Sequence, residues 1–218
     1  MFLNLMDVDF SWGWMSNWQY ATVVPTTVWR SATTIPRELS LINQDNSYLL
    51  VSKPVRELET LRTEATPIYH ASQNITGEKE IELDSTTLSQ SELAFDFNLE
   101  NSKLETLGII LENNLNEKLV LGYSVNQKQF FVDRWAAGPS AFSKEFAGIA
   151  KAPYTASSHL QLRMFVDAAS VELFVDGGKL VMTEIVFPTE KFTKLKAFSK
   201  GGDVTLEKAE FHSLKRIW

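Results

Sequence analysis

The sequence predicts an all-β chain, most of it one antiparallel β-sandwich, and three observations carry that prediction. From about Ile68 onward apolar and polar residues alternate in short runs, turn residues separate the runs, and helical periodicity is almost absent. Leu93, Phe95, Phe97 and Leu99 interleave with Ala94, Asp96 and Asn98, and Leu160, Leu162, Met164 and Val166 with Gln161, Arg163 and Asp167. Period two puts successive side chains on opposite faces, so each run is a strand with one apolar and one wet face. About ten such strands close two sheets over a shared core.

Taken in order, the elements begin with a stretch of different character. Trp12 to Leu39 holds four of the six tryptophans, Trp12, Trp14, Trp18 and Trp29, together with Tyr20, Arg30 and Arg37. Aromatic faces beside hydrogen-bonding groups suit a sugar, whose C–H face stacks while its hydroxyls bond. The alternative for each ring is ordinary core packing. Pro25, Thr26 and Thr27 predict a turn, Arg30 to Ile35 a short strand ended by Pro36, and Glu38 to Ile42 another strand. Asn43 to Ser47 is a turn, and Tyr48 to Val51 returns as a strand closed by Pro54. So few strands cannot bury a face of their own and must dock on something. Val55, Leu58 and Leu61 recur at helical spacing, which predicts one or two helical turns over Val55 to Arg62 as a connector.

Beyond the connector, Ile81 and Leu83 alternate with Glu80 and Glu82. Further strands are predicted over Gly108–Glu112, Lys118–Ser124, Lys128–Arg134, Leu180–Val186, Lys194–Phe198 and Val204–Phe211. Asp176-Gly177 makes a hairpin turn, and Gly201-Gly202-Asp203 a second turn. Val171, Leu173 and Val175 share one face while Glu172 and Phe174 take the other, and Phe165 is likewise apolar on an outer face. Asp133, Arg134 and Glu172 stand inside strands rather than in turns. Either they sit on wet faces, or they form a paired cluster at a joint, since a buried carboxylate calls for an arginine.

Composition excludes several classes. A net charge of −6 with scattered Lys and Arg offers no basic patch for nucleic acid or an anionic membrane. With no cysteine there is no disulfide, thiolate zinc site or thiol nucleophile. No apolar run reaches the roughly 18 residues of a membrane span. MFLNLMDVDF lacks the basic start and apolar stretch of a signal peptide, so an exported parent would carry its signal upstream. His70, His159 and His212 are isolated, no phosphate-cradling glycine loop or G-x-S-x-G motif occurs, and no metal or cofactor is expected.

Trp14-Met15-Ser16-Asn17-Trp18-Gln19-Tyr20, Pro25-Thr26, Trp29-Arg30 and Pro36-Arg37-Glu38-Leu39 closely resemble one segment of glycoside hydrolase family 32. That family comprises levanases, inulinases, invertases and other β-fructofuranosidases. Phe131-Val132-Asp133-Arg134, the run from Ser170 to Gly178, and Phe187-Pro188 resemble the family's C-terminal β-sandwich. The two patterns follow the family's order, and the resemblance covers essentially the whole chain. It implies that residues 1–59 are a remnant of the last blade of a five-bladed β-propeller plus linker. Residues 60–218 would then be the sandwich, of jelly-roll or concanavalin-like form. It further implies a fructan or sucrose-type carbohydrate as partner of the full enzyme, with Trp18, Asn17, Gln19 and Tyr20 on one wall of the fructose pocket. Arg30, Arg37, Asp133, Arg134 and Glu172 are the expected residues of the structural interface.

Retaining glycoside hydrolysis needs two carboxylates about 5 Å apart. The family takes its nucleophile from a W-M-N-D-P-N-G-like segment, its transition-state stabiliser from R-D-P and its acid/base from E-C. This sequence has no Asp-Pro dipeptide and no cysteine, and Trp18 stands where the nucleophilic aspartate would be. No catalytic residue is therefore expected, and the chain alone is expected to be inactive. Asp7, Asp9 and Glu38 could supply carboxylates of another kind, but solvated groups near a chain end keep ordinary acidity. The alternatives are a free-standing fructan-binding module, or assembly with a separate propeller fragment. The surface that would meet other blades is expected to promote self-association.

Overall fold

The computed structural model describes residues 2–5, 8–44, 46–69, 72–83, 88–100 and 102–217. The expectations placed on Asp7 and His70 lie outside the described residues. Four strands come first: β1 (Phe2–Leu5), β2 (Val8–Ser11), β3 (Arg37–Gln44) and β4 (Ser47–Pro54). They pair in sequence order as an antiparallel sheet, β1-β2-β3-β4. Between β2 and β3, the predicted strand over Arg30 to Ile35 does not form; that stretch contributes one isolated bridge, Trp14 to Thr33. Ser31 takes a φ of 77°, and Arg30 Nη1 turns back to donate to the carbonyls of Thr22 and Val24. The chain there curls instead of extending. A 3-10 helix, Arg56–Leu61, follows as the connector.

The remaining strands are β5 (Arg62–Tyr69), β6 (Gln73–Ile81), β7 (Ser91–Asn98), β8 (Thr106–Glu112), β9 (Lys118–Ser124), β10 (Gln129–Ala136), β11 (Ile149–Pro153), β12 (His159–Asp167), β13 (Ser170–Val175), β14 (Leu180–Ile185) and β15 (Lys194–Leu214). Hydrogen bonding runs β11-β10-β9-β8-β15-β7-β12-β13-β14, with β5 and β6 along the other side of β15. β15 is the hinge of this arrangement. Its first part pairs with β8 and its last part with β7, and the register shifts between Ser199 and Val204. Two strands were expected here, separated at Gly201-Gly202. The structure instead keeps one strand of 21 residues, because the glycine bend redirects the backbone from one sheet to the other without breaking it.

The two sheets enclose one apolar core. Leu93, Phe95 and Phe97 of β7, Leu160 and Met164 of β12, and Leu173 of β13 meet Leu121 of β9 and Phe130 and Val132 of β10. All of these are nearly inaccessible to solvent, at 0–2%. The β13–β14 turn falls where it was predicted: Val175 and Leu180 close a four-residue connection in which Asp176, Gly177 and Gly178 have φ of 44°, 69° and 91°, positive values that glycine adopts freely. The chain is thus an antiparallel β-sandwich preceded by a single four-stranded unit of blade form. Strands β1, β2, β5 and β11 were not anticipated; Arg62–Tyr69 and Ile149–Pro153 contain too little alternation to announce themselves.

Candidate functional site

Register converts the outer face of the second sheet into rows. One row runs His212, Glu92, Phe165, Glu172, Thr183 across β15, β7, β12, β13 and β14. The next runs Glu210, Ala94, Arg163, Phe174, Val181, and the one after begins Lys208, Asp96, Gln161. An outer face ordinarily holds wet polar groups. Here Glu92 and Glu172 are 1% and 2% exposed, because the N-terminal unit and connector lie over them.

Two buried ion-pair clusters fasten that contact. Glu172 accepts a hydrogen bond from Arg37 Nη2 of β3 and another from the Ile35 amide at 2.7 Å, while Arg37 also donates to Thr183 Oγ1 at 2.7 Å. Glu92 accepts from Arg62 Nε and Nη2, both at 2.7 Å, and from Arg163 Nε at 2.6 Å. Burial pushes both carboxyls up, and the arginines oppose it with different success. At Glu92 the Arg62 hydrogen bonds and the charges of Arg163 and Arg62 win, leaving the group below its ordinary value. At Glu172 burial outweighs Arg37 and the Ile35 amide, and the carboxyl stays above it.

A third contact is apolar. Tyr20 and Val24 pack with Phe146 and Ile185, with Phe142 and Phe187 alongside. The Tyr20 and Phe146 rings meet edge to face at 5.3 Å, and the Arg134 guanidinium lies 4.2 Å from the Phe146 centroid and 5.8 Å from that of Tyr20. Arg134 also bonds Glu184 across the two sheets at 2.7 Å and the Phe146 carbonyl at 2.8 Å. At the hairpin end, the Ser52 amide donates to the Gly178 carbonyl at 3.0 Å. Gly178 has a φ of 91°, and a Cβ there would sit 2.1 Å from the Ser52 carbonyl oxygen, so the close approach requires glycine.

The residues singled out from sequence thus separate into groups. Arg37, Arg134 and Glu172 come to the joint, and so does Tyr20, 7% exposed. Arg30 bonds within its own loop, and Asp133 accepts from the Trp135 amide of its own strand. Trp18 is 85% exposed, tilted against Trp14 with centroids 4.8 Å apart, and Asn17 Oδ1 accepts the Gln19 amide, which fixes the loop that presents it. Arg62, Glu92, Arg163, Glu184 and Phe146 were missed. Phe165 and Phe174, apolar yet outward, were the signal of a covered face; nothing marked Glu92 among many surface carboxylates.

A carboxylate pair of Asp9 with Glu38 fails on register, and any pair with Asp7 lies outside the described residues. Asp9 pairs with Leu39 while Glu38 pairs with Phe10, so the two side chains leave opposite faces of the sheet. Among the described residues no group of three or more His, Asp or Glu side chains is placed to hold a metal ion, and no helix is long and apolar enough to cross a membrane.

The description "Glycosyl hydrolases family 32 C terminal" matches residues 57–213, and the family's N-terminal domain matches residues 1–54. The chain belongs to glycoside hydrolase family 32. It is 35% identical over 213 residues to a levanase of Bacillus subtilis and 31% identical over 213 residues to an extracellular exo-inulinase of Aspergillus niger. These matches take in 94% of this chain but only 30% and 38% of those proteins, so it spans about a third of the family relatives' length. The exo-inulinase structure from Aspergillus awamori superposes with a TM-score of 0.87 at 29% identity, covering 99% of this chain and 42% of that one. A β-fructofuranosidase from Schwanniomyces occidentalis shares the fold, with a TM-score of 0.78 at 20% identity over 95% of this chain and 45% of that one.

Proposed function

We propose that this chain is the last-blade and sandwich portion of a levanase- or inulinase-like fructan hydrolase and does not cleave fructan by itself. Residues 1–59 form the blade remnant and linker of this reading, and residues 60–218 the sandwich that braces it. The observation that carries it is the state of Trp18. A tryptophan 85% exposed, on a loop held from behind by the buried Tyr20, is built to face something larger than this chain. In the whole enzyme Trp18, with Asn17 and Gln19, forms one wall of the fructose pocket, and Tyr20 supports that wall from the joint. The carboxylates that cut would come from blades this chain does not contain, in keeping with its lack of any Asp-Pro dipeptide.

Incubation of the chain with levan, inulin and sucrose tests this directly. No fructose is expected, and its release would overturn the reading. Leu41, Tyr48 and Leu50 of the β3–β4 hairpin are 65%, 76% and 55% exposed, a face suited to a neighbouring blade. In isolation it drives self-association, and sedimentation showing only monomer at high concentration would count against that part. A second reading, a fructan-binding module without cleavage, draws on the open Trp14–Trp18 pair. It requires binding of fructo-oligosaccharides that Trp18→Ala abolishes.

A further inference from the structure

Asp176-Gly177 is the one Asp-Gly dipeptide of the sequence, and no Asn-Gly occurs. The pair carries a reactivity of its own. An aspartyl carboxyl is open to attack by the amide nitrogen of the next residue, and glycine leaves that nitrogen unshielded because it has no Cβ. Gly177 is exposed, and its N–H makes no hydrogen bond among the described residues. The amides around it are all engaged: Asp176 donates to the Gln161 carbonyl, and Gly178 and Lys179 to that of Val175.

What opposes the attack is a clamp on the carboxylate. Oδ1 of Asp176 accepts the Gln161 amide at 2.8 Å, and Oδ2 accepts the Tyr154 hydroxyl. One oxygen is therefore held by the neighbouring strand β12, and the other by a residue just past β11, at the far end of the sheet order. Tyr154 is itself fixed. Its amide donates to the Lys128 carbonyl at 2.8 Å, its carbonyl accepts the Tyr123 hydroxyl at 3.3 Å, and its ring meets Phe130 edge on with centroids 5.6 Å apart. Burial and the Asp176 carboxylate push the Tyr154 phenol up, so it keeps the proton that it donates. To reach the Gly177 nitrogen the carboxyl must turn away from both partners and give up their hydrogen bonds.

We propose that Asp176-Gly177 is a latent isoaspartyl site, kept silent by Tyr154 and the Gln161 amide, whose modification unlatches the N-terminal unit. In the first step the Gly177 nitrogen bonds to Asp176 Cγ, the Cγ–O bond breaks, and the hydroxyl leaves with the amide proton as water. Water then opens the resulting succinimide. Opening at the Asp176 backbone carbonyl routes the chain through the side chain, so the turn becomes one carbon longer while the mass is unchanged. The joint has no slack for that carbon. The Ser52 amide of β4 donates to the Gly178 carbonyl at 3.0 Å, and a Cβ on Gly178 would already lie 2.1 Å from the Ser52 oxygen.

Ageing of the full chain in warm neutral buffer tests this. Isoaspartate at Asp176 is counted by electron-transfer fragmentation and by labelled methyl transfer from an isoaspartyl methyltransferase. A synthetic peptide of residues 172–180, which lacks the clamp, gives the unprotected rate. Each hydrogen bond to the carboxylate is expected to slow closure about tenfold, so the folded chain should age about a hundredfold more slowly than the peptide. Tyr154→Phe keeps the ring on Phe130 and removes the hydroxyl, and should speed ageing of the chain about tenfold. Protease should cut residues 55–61 faster in the isomerised fraction than in the unmodified one. Chain and peptide ageing at one rate overturns the protection. So does an unchanged or slower rate in a Tyr154→Phe variant that keeps its Tm, the slower rate making Tyr154 a proton donor to the departing water. Equal cutting of the two fractions overturns the unlatching. Where Tyr154→Phe fails to fold, the ratio of chain to peptide decides alone.

Discussion

The sandwich and the N-terminal unit solve the same problem by opposite means. In the sandwich, Phe95, Phe97, Leu160 and Leu173 are 0–1% exposed in one continuous core that the chain supplies from both sheets. In the N-terminal unit the buried set is small, Tyr20 and Val24 among it, and the partners of these two, Phe146 and Ile185, belong to the sandwich. Its other rings and aliphatics remain open, Trp18 at 85% and Val28 at 93%. A few strands cannot enclose a core. The unit therefore borrows apolar contacts and adds buried ion pairs. The sandwich is held by area, and the unit by specific partners.

Substitutions of equal chemistry should expose that difference. Phe97→Ala is expected to cost about 3–5 kcal/mol and abolish cooperative folding of the whole chain, whereas Val28→Ala should stay within about 0.5 kcal/mol in urea melts. Next in size are the ion pairs. Arg62→Ala removes two of the three hydrogen bonds to buried Glu92 and leaves Arg163 alone on it, and should cost about 2 kcal/mol. Arg37→Ala should cost less, because the Glu172 carboxyl is already pushed up by burial and accepts a proton more readily. In both variants the sandwich should keep its melting transition while protease cuts residues 55–61 faster. A single transition with unchanged cleavage would mean that the two units are not separable.

The same pair differs in pH dependence. Glu92 is held below its ordinary 4.5, so its contribution is present above pH 4.5 and is lost as pH falls through the lowered value. Glu172 and Glu184 are held above 4.5 by burial, against the pull of Arg37 and Arg134. Their contribution is full below pH 4.5 and declines as pH rises through the raised values. Glu172→Gln should thus flatten the decline in Tm between pH 4.5 and neutrality, and Glu92→Gln the acid limb below pH 4.5. Identical Tm–pH curves for the two variants would contradict the assignment.

Smaller effects sharpen the joint. Gly178→Ala drives a methyl into the Ser52 carbonyl and should cost about 1–3 kcal/mol, read as earlier release of the blade in proteolysis. Trp18→Ala should leave stability within about 0.5 kcal/mol, since an exposed ring has little packing to lose.

How much of this was legible depended on how local the cause was. The core faces of β7 and β12 were readable because Leu93, Phe95, Phe97, Leu160, Leu162 and Met164 declare a period of two. The Asp176-Gly177 turn was readable because its backbone demands those residues. Arg30 to Ile35 misled, because strand-like composition lost to a Ser31 in the left-handed region and an arginine bonded to its own loop. For the joint, sequence could nominate Arg37, Arg134 and Glu172 but could not pair them. Glu172 and Arg37 lie 135 residues apart, and Arg134 meets Glu184 rather than either of them.

By itself, the sequence determined alternating core strands such as β7 and β12, the absence of an Asp-Pro dipeptide and the aromatic character of the blade loop, all of which depend on neighbours along the chain. Only the tertiary structure decided that β15 belongs to both sheets, that Glu92 is buried, and that Tyr20 turns inward while Trp18 faces solvent. Those outcomes depend on which distant surface covers a residue. Alternation tells a strand which faces it has, and it does not tell the strand what will lie against them.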